Sequence, residues 1–167
     1  QYTQTNTDNR LVSNFILCFF KTERGDFLVG TSGGAVAFDK KINSFVRWKG
    51  MNGLVRQFLE DKDGNIWTAT DNGLYKYVPA ASGADGIQKE EVVRRYISDP
   101  ASGRRGLGSS NTTSVFEDSK GRIWVTTVYG FSLYNKETDS FNRITTEDGL
   151  PSNIIYRIVE DEDNQFW

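Results

Sequence analysis

The sequence has 167 residues, with 20 basic against 22 acidic side chains, a net charge of −2, and 37% hydrophobic and 13% aromatic residues. That length makes one domain or part of a repeated one, and the near-neutral balance gives no electrostatic reason to expect nucleic acid or an anionic membrane as partner. Histidine is absent, which removes Ser–His–Asp triads and histidine-ligated metal sites, and the single cysteine, Cys18, can neither close an internal disulfide nor make up a zinc or iron–sulfur ligand set. No metal or cofactor is expected. No apolar run approaches the roughly 20 residues that span a bilayer. No signal peptide begins at Gln1, so any export signal is expected to have been removed or to lie outside these residues.

The chain is organised by repeats. The first, over about 12–48, is the loosest copy: Lys21, Gly25, Leu28 and Thr31 lead to Gly34 and Phe38, and Phe45-Val46-Arg47-Trp48 forms a last apolar-polar stretch. The second, about 52–97, opens with Val55-Arg56-Gln57-Phe58-Leu59 and runs into the phrase Glu60-Asp61-Lys62-Asp63-Gly64-Asn65-Ile66-Trp67-Thr68-Ala69-Thr70. Gly73, Leu74-Tyr75-Lys76-Tyr77, a small-residue loop from Pro79 to Gly86, and Val92 to Tyr96 follow. Ser98 to Ser110, with its glycines, a proline and Arg104-Arg105, reads as a second surface loop. The third repeat, about 111–145, restates the phrase from Glu117 through Gly121 and Trp124 to Thr127, then Gly130, Tyr134 and Phe141. The fourth, 152–167, begins with Ile154-Ile155-Tyr156-Arg157-Ile158-Val159, continues as Glu160-Asp161-Glu162-Asp163-Asn164-Gln165-Phe166-Trp167, and stops.

Runs of four to six β-branched and aromatic residues between turn residues predict strands. Asp-x-x-Gly between the first two strands predicts a tight turn in which glycine takes the left-handed conformation. Asn164 stands at that position in the last copy, and asparagine also tolerates it. Four strands per unit make one blade. The anchor residues Leu28, Trp67, Trp124 and Trp167 are expected to fill the layers between blades, because a lone blade cannot bury both faces. The expected fold is therefore all-β: a β-propeller fragment of four-stranded antiparallel blades, three repeats and the start of a fourth, over 1–167 and truncated at both ends.

These units resemble the two-component regulator propeller repeats of bacterial hybrid two-component sensors. The resemblance rests on Glu-Asp-x-x-Gly-x-Ile-Trp-x-x-Thr-x-x-Gly and on Asp148-Gly149-Leu150-Pro151-Ser152-Asn153-Ile154-Ile155 ahead of Glu160-Asp161. It implies a periplasmic sensor region of an inner-membrane protein. It further implies a ligand that is commonly a glycan breakdown product, and a signal passed through a membrane helix to a histidine kinase. As partners it implies an oligosaccharide, further propeller repeats or other copies of this chain, and a homodimer of the parent. Contact with membrane would come only through that parent.

Other motifs have plainer readings. Asp61-Lys62-Asp63-Gly64-Asn65 lacks the spacing of a calcium loop, with Asn72 at its twelfth position, and reads as a hairpin turn. Arg24-Gly25-Asp26 occupies the same turn. The pairs Glu60-Asp61, Glu117-Asp118 and Glu160-Asp161 alternate across a strand, so none forms a catalytic dyad, and no catalytic residue is expected. Arg94-Arg95 and Arg104-Arg105 read as solvated loop charges. In propellers ligands tend to meet one rim, formed by loops leading into the innermost strand and loops joining the second and third strands. Here those loops supply Asn52, Asn111 and Asn153, and Asp71, Asn72 and Tyr129. Amide and aromatic groups suit sugars, and Tyr129 stands where its siblings are Gly33 and Asn72. The expected function is non-catalytic ligand sensing. The alternatives are a propeller scaffold for protein partners, or a propeller lyase or glycosidase.

Overall fold

A computed structural model of the chain describes residues 11–48, 50–78 and 91–167. It contains three four-stranded antiparallel sheets, each a simple meander. The first holds β1 (Ile16–Lys21), β2 (Phe27–Thr31), β3 (Gly34–Asp39) and β4 (Ser44–Arg47). The second holds β5 (Val55–Glu60), β6 (Ile66–Thr70), β7 (Gly73–Val78) and β8 (Glu91–Tyr96). The third holds β9 (Thr112–Glu117), β10 (Ile123–Thr127), β11 (Phe131–Asn135) and β12 (Ser140–Ile144). The sheets meet mainly near their first strands, β5 lying against β1 and β2 and β9 lying against β5 and β6. They thus fan out from a common axis as propeller blades do.

Two hydrophobic layers hold the fan together. Between the first two blades lie Leu28, Ala35, Trp48, Met51, Val55, Phe58, Ile66, Tyr75 and Tyr77; between the second and third lie Trp67, Ala69, Leu74, Tyr96, Leu107, Val115, Ile123, Val125 and Phe141. Trp67 is fully buried, stacked at 6.0 Å on Tyr96 of its own blade and edge-on at 5.0 Å to Tyr134 of the next. Leu28 and Trp124 are buried as well. Trp167 differs from that expectation, because 76% of it is exposed. In the other units the strands that come after the anchor residue, and the next blade, cover it.

The turn between the first and second strands shows why the repeat phrase keeps its spelling. Oδ1 of Asp61 accepts from the amides of Asp63 and Asn65, while Oδ2 accepts from the Trp67 indole at 2.7 Å. Asp118 does the same for Lys120, Arg122 and the Trp124 indole, and Asp161 for Asp163, Gln165 and the Trp167 indole. One carboxylate closes the turn and fastens the plug. The first blade has Thr22 and Leu28 in these places; the Thr22 hydroxyl still accepts from the Asp26 amide, and leucine has no N–H to offer. At the glycine position Gly64 has φ +78° and Asn164 has φ +60°, as the turn requires.

The glutamate before that aspartate reaches the other way. Glu60 accepts from the Glu23 amide at 2.7 Å, Glu117 from the Lys62 amide, and Glu160 from the Ser119 amide at 2.7 Å. Each glutamate therefore clasps the turn of the preceding unit.

Two expected elements differ. Residues 154–159 make no strand; only the hairpin end forms, with Glu160 bridged to Phe166 and Val159 bonded to Trp167. A ladder needs a partner along its length, and the partner strand here reaches back only to Val159. Ser98–Ser110 is not a plain surface loop. It turns through a short 3-10 stretch at Pro100–Ser102, bridges Arg105 to Asn142 along the β12 edge, and buries Leu107 completely. An apolar anchor and backbone bonds to Phe141 and Arg143 hold it down. The expected loop from Pro79 to Gly86 lies outside the described residues.

Trp67→Ala is expected to destabilise the chain by about 3–5 kcal/mol, as large buried aromatics do. Trp67→Phe, which removes one of the two donors to Asp61 Oδ2 and leaves the Asn65 amide, should cost about 0.5–1.5 kcal/mol in hydrogen bonding. Trp167→Ala should cost no more than about 1 kcal/mol, since it loses one exposed hydrogen bond. Urea unfolding of the three variants checks the order, and equal losses at Trp67 and Trp167 would contradict the buried-plug arrangement.

Candidate functional site

Strand β6 runs from the aspartate turn to the opposite end of its blade, where a second motif recurs. The Thr31, Thr70 and Thr127 hydroxyls donate to the carbonyls of Gly34, Gly73 and Gly130 and accept from the amides of Gly33, Asn72 and Tyr129. These buried threonines fix a tight hairpin whose two tip residues are free to vary. The glycine after the tip lets the next unit come close. Gly73, with φ +114°, donates to the Ser110 carbonyl at 2.6 Å, and a Cβ there would stand 2.6 Å from the Tyr96 carbonyl oxygen.

The rim residues are thus placed at one end of the fan, in pairs of hairpin tip and leading loop. Asp71 Oδ1 accepts from the Leu54 amide at 2.8 Å. Asn72 accepts from Arg95 with both its carbonyl and its side-chain oxygen. Asn52 Oδ1 accepts from Arg47 at 2.9 Å, and Asn153 Oδ1 from the Thr146 amide at 2.8 Å. These four side-chain oxygens are therefore already engaged within the chain. Tyr129 and Asn111 are different. Tyr129 is 46% exposed and its hydroxyl has no hydrogen bond among the described residues, while Asn111 Oδ1 is buried without a partner among them. The Val128 amide donates to the Asn111 carbonyl at 3.3 Å, which sets the two residues side by side.

Arg104 and Arg105 are exposed in the connection between β8 and β9, as expected, whereas Arg94 and Arg95 are not loop charges. Arg94 and Arg95 lie on β8, with Arg94 paired to Asp139 at 3.0 Å and Arg95 engaged with Asn72. Arg104 pairs with Asp148 at 2.9 Å and with Glu147 at 3.3 Å. Asp139 also accepts from Tyr134 and from Tyr96, at 2.8 and 2.5 Å, tying the edge of one blade to the next. Burial works against the ionised Asp139, but the two tyrosine hydroxyls and Arg94 outweigh it and hold the carboxyl below its usual range. Burial pushes the Cys18 thiol up to about 11, against a small opposing effect of the Gly30 backbone, so it stays protonated at neutral pH.

A second concavity escaped the sequence reading. Arg56, Gln57, Thr113, Ser114, Tyr156 and Arg157 line an open cleft of about 280 Å³ at the axis, where the first strands of successive units converge. Equal spacing back from Glu60, Glu117 and Glu160 puts these residues at matching positions, a signal present in the sequence.

Residues 49–72 and 106–129 match the two component regulator propeller family. These two segments are similar to two component regulator propeller repeats. Among solved structures, the extracellular domain of the hybrid two component system BT3049 of B. thetaiotaomicron matches with 24% identity and a TM-score of 0.72 over 99% of this chain and 22% of its own. The extracellular domain of BT4673 of the same organism matches with 17% identity and a TM-score of 0.74, over 99% of this chain and 23% of its own. This chain therefore spans less than a quarter of either. Virginiamycin B lyase of Staphylococcus aureus shares the fold with 16% identity and a TM-score of 0.54, over 98% of this chain and 50% of its own. A search of the curated proteins gives no match.

In these repeats the turn aspartate is the acid-sensitive point. Burial of Asp118 opposes its ionisation, but hydrogen bonds from the Trp124 indole and Arg122 prevail and its carboxyl is held below the usual range. Its contribution to stability is therefore full above about pH 4, the unfolded value, and is lost as pH falls through the lower folded one. Asp118→Asn is expected to lower stability at pH 7 by about 1–3 kcal/mol. Urea midpoints measured down to pH 2.5 should show that deficit shrinking below about pH 4; a deficit independent of pH would refute the assignment.

Proposed function

We propose that this chain is part of the extracellular, ligand-sensing portion of a hybrid two-component system of periplasmic location, without catalysis of its own. The regulator-propeller repeats carry this reading. The recurring carboxylates support it: Asp61 and Asp118 are spent on turn amides and indoles, and Glu60 and Glu117 on neighbouring blades. No pair is left facing a substrate among them. The ligand class that suits the rim is an oligosaccharide, with Tyr129 offering a face for stacking. Leu17, Phe19 and Phe27 on the outer face of the first blade, and Trp167 at the other end, are exposed; further repeats or another copy of the chain would cover them.

A propeller lyase is the second reading, favoured by the shared fold of virginiamycin B lyase. A histidine-to-alanine variant of that lyase is catalytically inactive, and this chain contains no histidine.

A panel of oligosaccharides separates the readings by thermal shift and product assay. The sensor reading expects a rise in Tm with one class and no turnover. Tyr129→Ala should weaken that binding about five- to tenfold, the worth of one stacked ring. Product formation would favour the lyase, and absence of any shift would sink the carbohydrate assignment.

A further inference from the structure

We infer that the axial cleft is a second ligand site, separate from the rim, which takes a small ring compound bearing an oxyanion. All three blades share a backbone irregularity. The ladder between first and second strands shifts register between Ile16 and Cys18, between Val55 and Gln57, and opposite Thr126 and Thr127. The unpaired residues are Leu17, Arg56 and Thr113, and Tyr156 stands at the matching place in the fourth unit. Bulges at blade rims and beside sites serve to re-aim a side chain. Here they fall at a chemically diverse position of the repeat, and two of the bulged residues, with Tyr156, line the cleft.

The lining is held in place by the neighbouring blade. Arg56 Nη1 donates to the Thr112 carbonyl at 2.9 Å, which fixes its guanidinium and leaves other N–H groups unused. Gln57 Oε1 accepts from the Val115 amide at 3.2 Å, so its NH2 remains available. Thr113 Oγ1 is bonded to Thr126 Oγ1 and the Ile155 carbonyl, each at 2.8 Å. Arg157 is exposed and makes no hydrogen bond or ion pair among the described residues. No carboxylate lines the cleft, so two guanidinium groups stand there without a lining counter-charge. Arginine binds carboxylate and sulfate groups through paired N–H donors. Tyr156, with 75% of its surface exposed, adds an aromatic face, and about 280 Å³ admits one sugar-sized ring and not a chain of them.

The test is isothermal titration of the full chain with glucuronate, glucose and inorganic sulfate. Glucuronate is expected to bind saturably and more weakly as salt is raised, with glucose at least tenfold weaker for want of the charge. Sulfate should also be at least tenfold weaker, having no ring for Tyr156. Arg157→Gln should cost about tenfold or more in glucuronate affinity. Arg157 is exposed, so that variant folds; Arg56→Gln and Tyr156→Ala repeat the test on the other wall. Tyr129→Ala, at the rim, should leave glucuronate binding unchanged, so this site and the rim reading fail separately. No saturable binding of glucuronate, equal affinity for glucose or sulfate, or wild-type binding by Arg157→Gln would overturn the proposal.

Discussion

One carboxylate, used twice, carries the architecture. The aspartate of each Asp-x-x-Gly turn gives one oxygen to the amides of its own turn and the other to the indole six residues on. A turn and a plug that could each move alone become one rigid piece, and the plug enters the layer between blades in one orientation. Trp167 shows that the clasp does not depend on burial, since its indole holds Asp161 at 2.7 Å while most of the ring faces solvent. The first blade shows the converse. With Thr22 for the aspartate and Leu28 for the tryptophan, the turn still closes and the layer is still filled, because both halves of the device are exchanged together.

That pairing explains what could be read before any coordinates. The strands, the left-handed turn residue and the burial of Trp67 and Trp124 follow from residues within a dozen positions of one another. The glutamate clasps do not. Their partners lie 37, 55 and 41 positions back, and no local pattern announces them. Ser98–Ser110 misled by composition: glycine, serine and proline speak for a loop, yet one large apolar residue, Leu107, is enough to pin it to a strand edge. Arg94 and Arg95 misled in the same way, as a charged pair on a strand whose partners, Asp139 and Asn72, sit on a neighbouring blade and a hairpin tip. At the rim, residue type pointed to six side chains, and only hydrogen bonding shows that four of their oxygens are already spent.

The two ends of each blade are constrained differently, and this bears on function. At the aspartate end the recurring aspartate and glutamate have fixed duties, one within the turn and one toward the preceding blade. Substitution there costs stability. At the opposite end the threonine hydroxyl does the closing from inside, so the hairpin tip carries Gly33, Asn72 or Tyr129 with no change in backbone bonding. A recognition surface needs such positions, where chemistry can vary while geometry is held.

The axis offers the same freedom by another device. A bulged residue is unpaired in its ladder, so its side chain is not bound to alternate with its neighbours across the sheet. Leucine, arginine, threonine and tyrosine occupy that one place in successive units, whereas the glutamate four residues on is kept in three of the four. Variation so close to invariance argues that the bulge is maintained for what it presents. Arg56 and Arg157 make the lining lopsided, with charge gathered toward the second and fourth units. A ligand drawn to that side would touch consecutive first strands at once. Because each glutamate ties its unit to the turn before it, such a ligand would act on the spacing of neighbouring blades and not on one blade alone.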